Sequence, residues 1–343
     1  MSGLRWLISV LLLALSAAPL AAAESEHGKM EGVGDFEIPE WFKVSFLNLP
    51  EDVKEAGQAD KNLLLVWYQD GCPYCERLIN TNFSQKGIVE YTQEHFDVIA
   101  LNLWGSRTVT GLDGGSLSEK ALGKRMGVQF TPTLQFLDKQ GEVVLRLNGY
   151  YPPEKFRTAL QYVGEDAFRN QAFSAFMKAN TPEGGKPGKL LAEPFFADSP
   201  HDLSEKKGPV AVFFEQRQCP DCVRLHEGIL DDPRMRELLE PFHVVQVDRW
   251  SEDKLVTPGG KRLSARQWGD ELGLDYVPAM VLFDRGEEVI RMESLFKGFH
   301  VRSMVDYVAS GAYRDQPRFQ RYIQARSERL MEEGQTVDLW EKN

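Results

Sequence analysis

The chain states one pattern twice, and whatever it folds into must be built twice. Cys72 and Cys219 lie 147 residues apart, Trp104 and Trp250 lie 146 apart, as do Pro132 and Pro278, and Tyr162 and Tyr307 lie 145 apart. Between these points the text agrees in kind. "HFDVIALNLW" answers to "PFHVVQVDRW", and "GVQFTPTLQFLDKQGEVVLR" to "GLDYVPAMVLFDRGEEVIR". A separation that drifts by so little over so long a span marks a duplicated domain. The length of 343 residues suits two domains, since one domain takes about 150.

Ahead of the repeat stands a separate segment. Arg5, the apolar run Trp6 to Leu15 and the small residues of "AAPLAAAE" predict a secretory signal peptide, residues 1–23, cleaved after Ala23. Its apolar core is too short for a membrane span, and no later stretch approaches the ~18 apolar residues that a span needs. The mature chain is expected to be exported and soluble, which in a bacterium with two membranes means the periplasm. "NTPEGGKPGK", Asn180 to Lys189, is rich in Gly and Pro and reads as a linker. The expected division is residues 24–179 for the first domain, 180–189 for the linker, and 190–343 for the second domain with a C-terminal helix. A formal charge of −11 argues against nucleic acid, whose phosphates reward clustered Lys and Arg.

Each copy reads as alternating strands and helices. Leu63–Tyr68, Val98–Leu103, Thr133–Leu137 and Val143–Leu147 are apolar, β-rich runs predicted as buried strands. Tyr74 to Lys86 is free of Pro and predicts a helix. Asp138–Gly141 and Asp284–Gly286 predict hairpin turns, and Pro153 opens a helix with Phe156, Leu160 and Val163 at helical spacing. This order predicts an α/β fold, in each copy a central mixed sheet flanked by helices.

All four cysteines fall in two pairs, "CPYC" at Cys72–Cys75 and "CPDC" at Cys219–Cys222. A disulfide between residues three apart closes too small a loop to stabilise the fold much. Zinc would need more ligands. Cys219, Cys222 and His226 give C-x2-C-x3-H, but the two pairs lie 147 residues apart, and His226 reads as a surface residue of its helix. Covalent haem needs His after the second cysteine, where Glu76 and Val223 stand. No metal and no cofactor is expected.

A working dithiol fits better. Cys72 falls where a strand ends and a helix begins, among unpaired N–H groups that favour thiolate over thiol. Cys75, one turn on and less exposed, is placed to resolve the mixed disulfide that Cys72 forms. Cys219 and Cys222 repeat the layout.

The strand, "CPYC" and helix, with Thr131–Pro132 before a strand and a hairpin after it, resemble a thioredoxin fold; the whole chain resembles two in tandem. The stretches "QDGCPYCERL" and "NGYYPPEKFRTALQYV" are similar to the SoxW-like periplasmic thioredoxins of bacterial sulfur-oxidation systems. The likeness covers roughly Glu40 to Ala179, the second copy being more diverged. It implies a thiol:disulfide oxidoreductase, fed by a membrane electron donor, whose clients are proteins with disulfides. It also implies a cis-proline loop that holds the client's backbone, at Thr131 and Pro132 and again at Val277 and Pro278. A rival reading makes one or both copies a docking or metal-carrier module without turnover. Two departures stand out. The buried aspartate that thioredoxin carries six residues before its first cysteine is here Val66 or Phe213. Tyr74 against Asp221, and Asp70 against Arg217, predict dithiols with different thiolate stabilities and potentials.

Overall fold

The computed structural model describes residues 27–180, 189–199 and 201–341. The signal segment and residues 181–188 of the linker lie outside them.

The first copy begins with β1 (Met30–Glu31), α1 (Leu49–Gln58), β2 (Asn62–Tyr68), α2 (Pro73–Arg77), α3 (Lys86–His95) and β3 (Phe96–Asn102). It continues through β4 (Thr108–Thr110), β5 (Ser116–Ser118), α4 (Glu119–Arg125), β6 (Thr133–Leu137), β7 (Val143–Asn148), α5 (Pro153–Gly164) and α6 (Phe173–Asn180). The second copy has β8 (Val210–Glu215), α7 (Pro220–Arg224), α8 (Pro233–Leu239), β9 (His243–Asp248), β10 (Lys254–Val256) and β11 (Arg262–Ser264). It ends with α9 (Ala265–Glu271), β12 (Ala279–Asp284), β13 (Glu287–Met292), α10 (Gly298–Ala309), α11 (Phe319–Glu332) and β14 (Val337–Asp338).

The two main sheets have one topology, β3-β2-β6-β7 and β9-β8-β12-β13. In each, the first pair is parallel and the other two are antiparallel. The apolar run of β2 is central because both of its faces are covered. Leu64 and Val66 enter one core, and Leu63, Leu65 and Trp67 the other, by the two-residue alternation of a strand. In β8, Ala211 and Phe213 are separated in the same way from Val210, Val212 and Phe214. Each copy is a central mixed sheet flanked by helices, as the order of elements predicted, and the arrangement is the one that the resemblance to a thioredoxin fold implied.

The helix expected over Tyr74–Lys86 is shorter. It runs through α2 into a π-type turn, Leu78–Asn82, and stops. Asn82 is fully buried, and its side-chain amide donates to the Tyr151 carbonyl at 2.8 Å, a contact from outside the helix. The second copy has the same π-type turn at Leu225–Leu230.

The copies pack face to face, and their contacts come in exchanged pairs. Tyr151 packs on Tyr276 with ring centroids 5.0 Å apart, and the equivalent Phe296 packs on Phe130 at 5.3 Å. Ser174 N–H donates to Asp275 at 3.0 Å, and the equivalent Gln320 amide donates to the Gln129 carbonyl at 3.0 Å. Asn148 donates to its own counterpart, Glu293, at 2.6 Å. Contacts of i with j and of j with i are the mark of a two-fold interface, here within one chain. The first strand ties the ends together, since β1 pairs in parallel with β14.

Candidate active site

Both cysteine pairs are closed as disulfides, with Cα atoms 5.3 and 5.2 Å apart. Cys72 and Cys219 are the N-cap residues of α2 and α7, followed by Pro73 and Pro220. Proline is well placed there, because its missing N–H would have had no helical partner. The N–H of Cys75 donates to Cys72 Sγ at 3.0 Å, and that of Cys222 to Cys219 Sγ at 3.0 Å. A thiolate at these positions keeps that bond and gains from the helix end.

The Thr131–Pro132 and Val277–Pro278 peptide bonds are both cis. The Thr131 carbonyl oxygen is 3.4 Å from Cys72 Sγ. Thr131 lines the cavity over Cys72, and Val277 the one over Cys219; the buried prolines stand behind them. Of each pair only the first cysteine reaches its cavity.

The exposure expected for Cys72 is absent: the residue is 3% exposed, and Cys219 is 8% exposed. The second copy causes this at Cys72, and the first at Cys219. Helix α11 packs on α10 in its own copy, yet Gln320, Ile323 and Gln324 wall the cavity over Cys72. Helix α6, its equivalent, sets Ser174, Met177 and Lys178 over Cys219. Trp104 and Trp250, which follow the matching strands β3 and β9, also line these cavities. Trp104 Nε1 donates to Gln69 at 3.3 Å, and Trp250 Nε1 to Gln216 at 2.8 Å.

The residue after each proline anchors its motif to the other copy. The Tyr74 hydroxyl accepts from the Lys297 N–H at 2.7 Å and lies 3.3 Å from His300 Nδ1. Burial pushes the Tyr74 phenol far up and lowers His300 to about 4, so both are neutral near pH 7. Asp221 accepts from Lys155 at 2.8 Å and from the Tyr276 hydroxyl at 2.5 Å, and also pairs with Arg224. Burial works against its charge, but Lys155, Tyr276 and Arg224 together hold the carboxyl below the usual range. Arg217 is exposed and faces Asp248 at 3.4 Å. The charges that distinguish the second motif in sequence are therefore compensated. The two cavities share no lining residue, so one dithiol cannot attack the other in this arrangement.

His226 is not a surface residue. It is 4% exposed, with Nε2 2.9 Å from Glu215 and Nδ1 2.9 Å from Glu193. Burial disfavours its charge, but the two carboxylates outweigh it and raise its pKa. Glu215 lies on the same strand face as Phe213, two residues nearer Cys219. It was the signal available in sequence for a buried carboxylate near this dithiol. Among the described residues, no cluster of His, Cys, Asp and Glu is suited to hold a metal ion.

Asp275, where Ser174 docks, carries the clearest pH signal. Burial, reinforced by Glu293, pushes its carboxyl up to about 6. A raised carboxyl binds its proton more tightly in the folded state, so stability falls as pH rises from about 4 through 6. Asp275→Asn keeps the acceptor for Ser174 and removes that cost. The variant is expected to gain on the order of 2 kcal/mol at pH 8 and little at pH 4. Denaturant titration at both pH values checks this, and an equal effect at both would refute it.

A family model described as a thioredoxin-like domain matches residues 49–164 and again 196–309. A thioredoxin-fold protein from Helicobacter pylori is 27% identical, over 40% of this chain and 96% of that one, with a TM-score of 0.33. A putative disulphide-isomerase from Bacteroides thetaiotaomicron is 25% identical, over 38% and 98%, with a TM-score of 0.30. The oxidised C-terminal domain of DsbD from Neisseria meningitidis is 18% identical, over 36% and 90%, with a TM-score of 0.24. Comparison with curated proteins finds no match. The CxxC pairs are redox centres and support a thioredoxin-like thiol:disulfide oxidoreductase activity. Matched once in each copy, the chain belongs to the family of thioredoxin-like domains.

Proposed function

We propose that the protein is a periplasmic reductase of protein disulfides, kept reduced by a membrane electron donor. The observation that carries this reading is the placement of Cys72 and Cys219, each at the wall of a cavity beside a cis-proline loop, with its partner cysteine behind. In this reading Cys72 or Cys219 attacks the client's disulfide, and Cys75 or Cys222 resolves the mixed disulfide. The backbone at Thr131–Pro132 or Val277–Pro278 holds the client strand. The resemblance of "QDGCPYCERL" and "NGYYPPEKFRTALQYV" to SoxW-like thioredoxins, and the signal peptide expected over residues 1–23, are the sequence grounds for proposing export and net reduction. No described helix is long and apolar enough to cross a membrane. The carrier reading loses its best ligand, because both ring nitrogens of His226 are engaged by carboxylates.

Trapping thiols in living cells with an alkylating reagent, then scoring each pair in the periplasmic fraction, tests the direction. Both pairs are expected mostly as thiols. Mostly disulfide would make the protein an oxidant, and recovery from the cytosol would overturn the assigned compartment.

A further inference from the structure

The two cavities differ in size and in chemistry. The one over Cys72 has a volume of about 370 Å³, the one over Cys219 about 120 Å³. Small-molecule sites span about 300–1,000 Å³, so the first qualifies and the second does not. The walls over Cys72 include Trp104 and Phe130 from the first copy and Phe296, Phe299, Phe319 and Ile323 from the second. Two of its polar groups are already occupied, Gln69 by Trp104 and Gln320 by the Gln129 carbonyl. Besides Cys72 itself, its ionisable lining consists of Asp70, exposed at the rim, and Tyr74 and His300, both neutral near pH 7 through burial. The cavity over Cys219 is instead lined by Lys155, Lys178, Arg249, Asp221 and Asp275.

A protein disulfide can reach Cys72 only if α11 and the segment around Phe296 move away, since the residue is 3% exposed. A small molecule that fits the cavity needs no such movement. Its apolar walls favour apolar substituents. No Lys or Arg lines the cavity, and Arg321 and Lys120 are engaged on its Trp104 ring at 4.6 and 5.5 Å, so a carboxylate held among these walls would be stripped of water without a direct partner.

We propose that the first dithiol also reduces low-molecular-weight disulfides with uncharged aromatic or branched apolar substituents, bound in a pocket that the second copy completes. The proposal rests on the reductase reading above. The Cys72 thiolate attacks one substrate sulfur; the Cys72–S bond forms, the substrate S–S bond breaks, and the departing thiolate takes a proton from water. The Cys75 thiolate then attacks Cys72 Sγ, closing the protein disulfide and releasing the second thiol. The two electrons come from the dithiol, which an external protein dithiol restores.

The test uses the mature chain carrying Cys219→Ser and Cys222→Ser, reduced beforehand. It is mixed with neutral dipyridyl disulfide, with dianionic dithiobis(nitrobenzoate), and with insulin. Each small-disulfide rate is divided by the rate with free dithiothreitol, which removes intrinsic reactivity. The normalised rate for the neutral disulfide is expected to exceed that for the dianion by about tenfold or more, the penalty for burying unpaired charge. Gln324→Trp, at an exposed position on the cavity wall, is expected to lower the ratio of dipyridyl to insulin rates about tenfold. Equal normalised rates, or an unchanged ratio in the variant, would overturn the pocket. Insulin reduction without reduction of either small disulfide would also overturn it, leaving the reductase reading intact. Failure with all three substrates would overturn that reading as well.

Discussion

Cys72→Ser, in a chain whose second pair is already serine, abolishes disulfide reduction, whereas Cys75→Ser stalls after the first step and accumulates mixed disulfides. The difference follows from which sulfur can be reached. Cys72 is the cysteine of its pair that lines the cavity, and it lies 3.4 Å from the Thr131 carbonyl oxygen. Cys75 is 1% exposed, behind it. Electrostatics point the same way. The Cys75 N–H donates to Cys72 Sγ, and Cys72 caps a helix that continues through the π-type turn to Asn82. An attacking sulfur must be a thiolate, and these N–H groups stabilise one. With serine at position 72 no bond to the substrate sulfur forms. With serine at position 75 it forms and nothing resolves it. Mass spectrometry of the unreduced protein after mixing with substrate distinguishes the two, and mixed disulfides on Cys72→Ser would reverse the roles. Cys219 and Cys222 are expected to divide the work in the same way.

The basis for that assignment shifted between sequence and structure. Strand, CxxC and helix were legible in sequence because each is set by local pattern, as in β2 with apolar residues for both faces. The burial of Cys72 was not, because Phe296, Phe319 and Ile323, which complete its cover, lie more than 200 positions away in the second copy. A repeat says that a domain occurs twice; it says nothing about how the two copies face each other. Helix α6 was absent from the sequence reading, and α11 was read only as the C-terminal helix of the second domain. Phe173 and Phe319 open the two helices and pack on Tyr162 and Tyr307 at 5.0 and 5.5 Å. Their reach across the interface depends on how these anchors aim them. His226 was misread for a related reason. Its position beside a CxxC suggested an open helix face, and Glu193, from the segment before β8, closes that face. Asn82, the last residue of the π-type turn, likewise finds its partner far away in sequence, at Tyr151, 69 residues on.

Phe296→Ala is the second large effect, and it bears on how the copies part. The Phe296 side chain is 4% exposed and sits between Tyr74, at 5.4 Å, and Phe130, at 5.3 Å between ring centroids. Gly149 makes room for it: its φ is +92°, and a Cβ there would come within 2.5 Å of the Phe296 ring. Removing a buried Phe side chain costs about 3–5 kcal/mol. In most sites that loss would weaken a domain core. Here both flanking rings belong to the other copy, so the loss falls on the interface. Each 1.4 kcal/mol is a factor of ten in an equilibrium constant, so opening of the interface should rise by about a hundredfold or more. The reciprocal contacts make it one interface with two dithiols beneath it. Alkylation of reduced Cys72 and of reduced Cys219 is therefore expected to accelerate together and by similar factors. Tyr151→Ala, at the equivalent position against Tyr276, is expected to do the same. If Phe296→Ala speeds Cys72 alone, the cover over that sulfur loosens locally and the copies do not separate as units.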